Sequence, residues 1–166
     1  MRQAAIRLAA AVVLAANPAS PAGAAPPEGP HPSPRLAPDE VVRIQLEALR
    51  ANDERDRGIA IAFRFASPRN RASTGPLPRF ARMIRQGYGL MLEWVHAEYG
   101  PLRVEGAHAV QPVILIGREA VVRYVFYLTR QKGGACTACW MTDAVTAEPL
   151  GDRPASASVT QLARSP

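Results

Sequence analysis

Ala120-Val121-Val122-Arg123-Tyr124-Val125-Phe126-Tyr127-Leu128-Thr129-Arg130 is the stretch whose reading decides the fold. Every second residue from Ala120 to Leu128 (Ala120, Val122, Tyr124, Phe126, Leu128) is apolar, the period of a strand with one buried face. A Gly-rich break follows, then a second β-rich run, Cys136-Thr137-Ala138-Cys139-Trp140-Met141-Thr142-Asp143-Ala144-Val145. The two runs predict a central hairpin joined by Gln131 to Ala135. Val122, Tyr124, Phe126 and Leu128 should face the rest of the domain, and Arg123 and Tyr127 should face away.

Working upstream, β character extends from Met91 to Tyr99, through Leu102 to Glu105, and from His108 to Ile116, with breaks at Gly100-Pro101, Gly106 and Gly117-Arg118. Pro112 lies inside the third of these strands, which predicts an edge or a bulge there. Before the strands the period changes. Pro38-Asp39-Glu40 has the proline and acids of a helix start, and Val42, Leu46 and Leu49 form a stripe, so residues 38 to about 52 read as an amphipathic helix. Arg57 to Ala66 is a second helix, ended ahead of Pro68. Ser67 to Gly75 reads as a polar loop, and Pro76-Leu77 opens a third helix with Leu77, Phe80 and Ile84 as its stripe, closed by Gly87. Helices first and antiparallel strands after make an α+β domain with the N-terminal helices packed on a curved sheet.

The ends read differently. Arg2 and Arg7, the apolar run Leu8 to Ala16, and Ala22-Gly23-Ala24 have the layout of a cleaved export signal over residues 1–24. That run is far shorter than the roughly 20 residues needed to span a bilayer, so no transmembrane anchor is expected. Residues 25–37 form a Pro-rich linker, 38–147 the domain, and 148–166 a Pro/Ser/Ala-rich tail expected to be disordered. The protein is expected to be exported, periplasmic or secreted. Loss of Arg2 and Arg7 lowers the formal charge from +6 to +4, a balance that does not point to nucleic acid.

Gln45-Leu46-x-Ala48-Leu49, Asn52-Asp53, Ala62-Phe63-x-Phe65-Ala66-Ser67-Pro68, Gly75-Pro76-Leu77-x-Arg79-Phe80 and Trp140-Met141-Thr142-Asp143-x-Val145 occur in this order over residues 38 to 147. Together they resemble the domain of unknown function 4864 family, itself similar to the nuclear transport factor 2-like superfamily. The resemblance implies a cone in which helices close over a curved antiparallel sheet. It implies no activity. The Cys136-Thr137-Ala138-Cys139 segment and the stretch after Ala147 depart from the family pattern.

Sequence signatures of enzymes are scarce. There is no G-x-S-x-G, no H-E-x-x-H and no phosphate loop, and Lys132 is the single lysine. A carboxylate in an apolar pocket would still make a usable base, and Asp143, Tyr124, Tyr99 and His96 are the groups available for it. Trp94, Tyr124, Phe126 and Trp140 with Asp143 are the ligand-pocket candidates, and the same aromatics equally suit a plain core. His31, His96 and His108 lie apart and the two cysteines supply only two ligands, so neither a metal site nor a cofactor is expected. The reading favoured is an exported, non-catalytic ligand-binding or interaction module. An isomerase- or hydratase-type enzyme using a pocket carboxylate is the alternative. Partners are a small apolar ligand or an anionic surface or protein, and the oligomeric state stays open, a dimer included. The anionic partner is suggested by seven arginines between Arg57 and Leu92 with no acid among them, although seven acids between Glu28 and Asp56 can neutralise them.

Cys136 and Cys139 are the only cysteines, and export would place them in an oxidising compartment, so a disulfide is expected. C-x-x-C is also the spacing of thiol oxidoreductases, but there the motif opens a helix, whereas here a β-run follows. A loop this short should stabilise by only about 2 kcal/mol.

Overall fold

The computed structural model describes residues 29–152. The expected signal segment, the first residues of the linker and the chain after Asp152 lie outside the described residues. Among the described residues five helices, α1 (Pro38–Arg50), α2 (Arg57–Arg64), α3 (Pro68–Thr74), α4 (Leu77–Gly87) and α5 (Leu90–Glu93), precede five strands, β1 (His96–Tyr99), β2 (Arg103–Glu105), β3 (His108–Ile116), β4 (Ala120–Arg130) and β5 (Trp140–Asp152). The fold is α+β. All strand pairs are antiparallel, in the order β1-β3-β4-β5 with β2 also on β3.

The alternation along β4 sets the layers. Tyr124, Phe126 and Leu128 are buried and Val122 packs against the same core, whereas Arg123 and Tyr127 are exposed. The helices supply Val42, Leu46 and Leu49 from α1, Ile59 and Ala62 from α2, and Phe80 and Ile84 from α4 to that core. In α1, Glu40 Oε2 accepts from the amide of Ala37 at 2.7 Å, closing the first turn from outside the helix. The α1–α2 turn is organised by Asp53, whose carboxylate accepts from the amides of Arg55 and Arg57 and from the Arg57 side chain. The Arg57 amide above all, then its guanidinium, holds the Asp53 carboxyl below its ordinary pKa. At Gly58, a Cβ would overlap the Ala48 carbonyl oxygen and come within 2.8 Å of Asn52 Cα, so α1 and α2 approach where glycine permits it.

Six expectations are corrected. Ser67–Gly75 is not a loop: Pro68–Thr74 is helical, with Ser67 Oγ accepting from the Asn70 amide at 3.1 Å as its N-cap. None of its residues is buried, so it carries no apolar stripe. The strand expected from Met91 begins only at His96, because Leu90–Glu93 forms the short α5. The loop joining β4 to β5 runs from Gln131 to Cys139 and contains both cysteines, and β5 is an edge strand, so the hairpin is not central in the sheet.

Pro112 is neither on an edge strand nor in a bulge. It sits in interior β3 opposite Val125 of β4. Its other side faces the break between β1 and β2, where the Gly100 amide donates to the Pro112 carbonyl at 2.9 Å. The boundary at Ala147 also moves, since β5 continues to Asp152, with Glu148 opposite Arg123 and Pro149 opposite Val122. Pro149 is tolerated because, among the described residues, this strand has no neighbouring strand on its far side. At the other end, Leu36 of the expected linker packs against the core.

Candidate functional site

Two register shifts interrupt the β4–β5 ladder. At the first, Tyr127 faces Ala144 and Leu128 faces Thr142, leaving Asp143 as the extra residue of a bulge. Thr142 is thereby turned to a second set of partners. Its amide donates to Phe65 O at 2.8 Å, and its carbonyl accepts from the Ser67 amide at 2.9 Å and from Asn70 Nδ2 at 3.0 Å. This parallel bridge covers the edge of β5 with the α2–α3 junction, a common way to protect an exposed sheet edge. The Thr142 hydroxyl donates to Gln45 Oε1 at 2.6 Å, and Gln45 Nε2 donates to Ala62 O at 3.0 Å, so both buried side chains are satisfied.

Beside this junction lies a cleft of about 540 Å³ between α1–α4 and the bulged strand. Its apolar wall includes Phe80, Met83, Ile84, Met91 and Phe126, and Gln45 and Thr142 form part of its floor. Arg69, Asn70, Ser73 and Thr74 of α3 and Asp143 of the bulge line its polar side. The Thr129 hydroxyl donates to Asp143 Oδ2. The hydroxyls of Ser73 and Thr74 donate to Arg69 O and Asn70 O, at 3.2 and 2.9 Å, leaving their lone pairs as acceptors. Tyr88, also lining the cleft, donates its hydroxyl to Val145 O at 3.1 Å.

Of the pocket candidates, Phe126 and Asp143 meet in this cleft. Tyr124 lies beneath it, buried, its ring 6.1 Å from that of Tyr88. Burial first, and the neighbouring Tyr88 second, push the Tyr124 hydroxyl up to about 12. Trp94 is elsewhere, in a separate groove under the Arg50 guanidinium, which stands 4.4 Å from the ring centroid. Trp140 is a core residue. His96 is exposed at the start of β1. The Tyr99 hydroxyl is buried without a hydrogen-bond partner among the described residues, and the Arg43 guanidinium lies 4.3 Å from its ring centroid. Burial raises the Tyr99 pKa, opposed by Arg43 and reinforced by Glu47. The four aromatics therefore do not share one pocket. Gln45, Asn70, Met83 and Tyr88 were not anticipated. Gln45 alone carried a signal, as a polar residue three after Val42 on the buried stripe of α1.

Several of the seven arginines are occupied locally. Arg57 pairs with Asp53 and Arg85 with Asp56, and Arg71 donates to Ala66 O and Arg64 O while covering the Phe63 ring. Arg69, Arg79 and Arg82 are exposed and make no ion pair among the described residues. Among the described residues no three His, Cys, Asp or Glu side chains are grouped to hold a metal, and no helix is long and apolar enough to cross a membrane. Cys136 and Cys139 form a disulfide with Cα atoms 5.6 Å apart.

Residues 36–149 match the family described as Domain of unknown function (DUF4864). The chain belongs to this family. The match covers α1 to β4 in full and all but the last three residues of β5, so the cleft and the disulfide loop both fall inside the family's domain. No curated protein and no solved structure matches the chain.

Proposed function

We propose that this member of the family is an exported, non-catalytic binding module that takes a small, largely apolar ligand in the cleft beside the Asp143 bulge. One observation carries the reading: a cleft of about 540 Å³ with an apolar wall on one side and hydrogen-bonding groups on the other. That size and lining suit a small organic molecule with a polar end. The N-terminal sequence supports export, since Arg2, Arg7 and the apolar run after them have the layout of a signal segment.

The alternative, an isomerase- or hydratase-type enzyme, is favoured by Asp143 alone, a carboxylate on the cleft wall. Among the described residues lining the cleft, however, no histidine, lysine or second carboxylate accompanies it to share a proton transfer. One Asp143 oxygen is already held by Thr129. Binding fits this arrangement better than turnover.

The test uses the neutral apolar fluorophore N-phenylnaphthylamine and a Met83→Trp variant, which fills the cleft from half-exposed α4. The expected result is saturable, one-to-one binding that the variant abolishes while its melting temperature is kept. Equal binding by both proteins would place the apolar site elsewhere and reject the cleft. Mass spectrometry of small molecules extracted from the exported protein then identifies the natural occupant.

A further inference from the structure

Most of the hydrogens lining the cleft are already spent. Ser73 and Thr74 donate their hydroxyl hydrogens to Arg69 O and Asn70 O, at 3.2 and 2.9 Å. Tyr88 donates to Val145 O at 3.1 Å, and Thr142 to Gln45 Oε1 at 2.6 Å. These four hydroxyls can therefore only accept from a ligand. Gln45 and Asn70 each give one amide hydrogen to a backbone carbonyl, Ala62 O and Thr142 O, both at 3.0 Å. Arg69 and Tyr127 also carry donors, but both side chains are exposed to water. What the lining has left is mostly lone pairs.

Asp143 adds the strongest acceptor. Its carboxylate is half-buried in the bulge, Oδ2 accepts from Thr129, and among the described residues neither oxygen is paired with a cation. A ligand head that only accepts is mismatched to such a lining. A carboxylate would set lone pairs against lone pairs and be repelled by Asp143. A neutral hydroxyl brings one hydrogen. A primary ammonium brings three, with the charge opposite to that of Asp143, and a charge-assisted hydrogen bond is roughly twice as strong as a neutral one. Arg69 does not reverse this preference, because an exposed guanidinium is screened by water and salt more than a half-buried carboxylate.

We propose that the occupant of the cleft is a small primary amine with an apolar body, its ammonium on Asp143 and its body against Phe80, Met83 and Ile84. This rests on the reading of the cleft as the ligand site.

The experiment measures calorimetric binding of three probes that share one apolar body, 1-naphthylmethylamine, 1-naphthylmethanol and 1-naphthoate, to the full mature protein at neutral pH. The expected order is amine, alcohol, carboxylate, with the amine about tenfold tighter than the alcohol. The chain's formal charge of +6 attracts anions unspecifically, so this order is the reverse of what bulk charge alone would give. Asp143→Asn keeps an acceptor for Thr129 but removes the charge, and should cut the amine's lead to about threefold or less. Should that variant not fold, the order on the unmodified protein decides. Equal affinities, a tighter carboxylate, or an amine preference that Asp143→Asn leaves intact would overturn the amine assignment. If Met83→Trp still abolishes binding in those cases, the cleft remains a ligand site with another kind of head. Binding that Met83→Trp leaves intact, or no binding by any probe, would reject the cleft and the amine assignment with it.

Discussion

Gln111 Nε2 donates to the Gly100 carbonyl at 2.7 Å, supplying the hydrogen that Pro112 lacks. Gly100 and Pro112 sit opposite each other, and the Gly100 amide donates to Pro112 O, but proline has no N–H to return. The neighbouring side chain completes the exchange. Gln111→Leu should therefore cost about 1–3 kcal/mol by leaving the Gly100 carbonyl unpaired. Adding Pro112→Ala should recover part of that loss by restoring an amide. Urea unfolding of the two single variants and the double variant measures the coupling, and strict additivity would show that the amide of Gln111 does not substitute for Pro112.

Gly58→Ala normally gains helix propensity, up to about 1 kcal/mol. Here the added methyl overlaps the Ala48 carbonyl, a backbone group that cannot rotate away. The net effect should be destabilisation by about 1–3 kcal/mol, the usual cost of overpacking. Thermal unfolding checks the sign, and an unchanged or raised Tm would mean that α1 and α2 separate freely.

The sequence was legible wherever a period was strong. The alternation Val122, Tyr124, Phe126, Leu128 and the stripe Val42, Leu46, Leu49 led to the right faces. Where no period existed, reading failed for definable reasons. Pro68–Thr74 buries nothing, so only Ser67-Pro68, a cap followed by a first-turn proline, could have announced α3. Leu90–Glu93 is too short for an apolar run to separate helix from strand. Pro149 and Gly151 resemble an ending, yet an edge strand with a bulge accommodates both. The candidate site was half legible. Asp143 and Phe126 were named, but their meeting depends on a one-residue bulge, and Trp94 and Trp140 were assigned by residue type when their positions lie elsewhere.

Thr142→Val should destabilise by about 1–3 kcal/mol, because it leaves Gln45 Oε1 buried without its donor. Gln45→Leu combined with Thr142→Val should cost less than the sum of the two single changes, since both partners are then apolar. The same double variant makes the cleft floor apolar and should leave N-phenylnaphthylamine binding in place. A sum that adds strictly would show the Gln45–Thr142 contact to be energetically idle.

Removing the loop bond by Cys136→Ser with Cys139→Ser should lower stability by only about 2 kcal/mol, the loop-entropy value for so short a closure. The domain should stay folded, because most of the core between the sheet and the helices is built from residues outside this loop. Near-ultraviolet circular dichroism and urea unfolding test it, and loss of all tertiary signal would make the bond essential to the fold.

The alkaline limit of stability should be set in part by Tyr124. Its hydroxyl is pushed up to about 12 in the folded protein, chiefly by burial, against about 10 in the unfolded chain. Between those values the unfolded state gives up the proton and the folded state keeps it, so unfolding releases a proton and becomes more favourable as pH rises. The contribution is complete below pH about 10 and is lost as pH climbs toward 12. Tyr99, whose pKa is also raised by burial, adds in the same direction. Tyr124→Phe should thus flatten the fall in stability over this window while leaving neutral-pH stability nearly unchanged, because the buried ring and its packing are kept. Urea midpoints at pH about 9, 10, 11 and 12 for both proteins, with phenolate absorbance followed in parallel, read the difference. Identical slopes would mean that the Tyr124 hydroxyl ionises in the folded state as readily as in the unfolded chain.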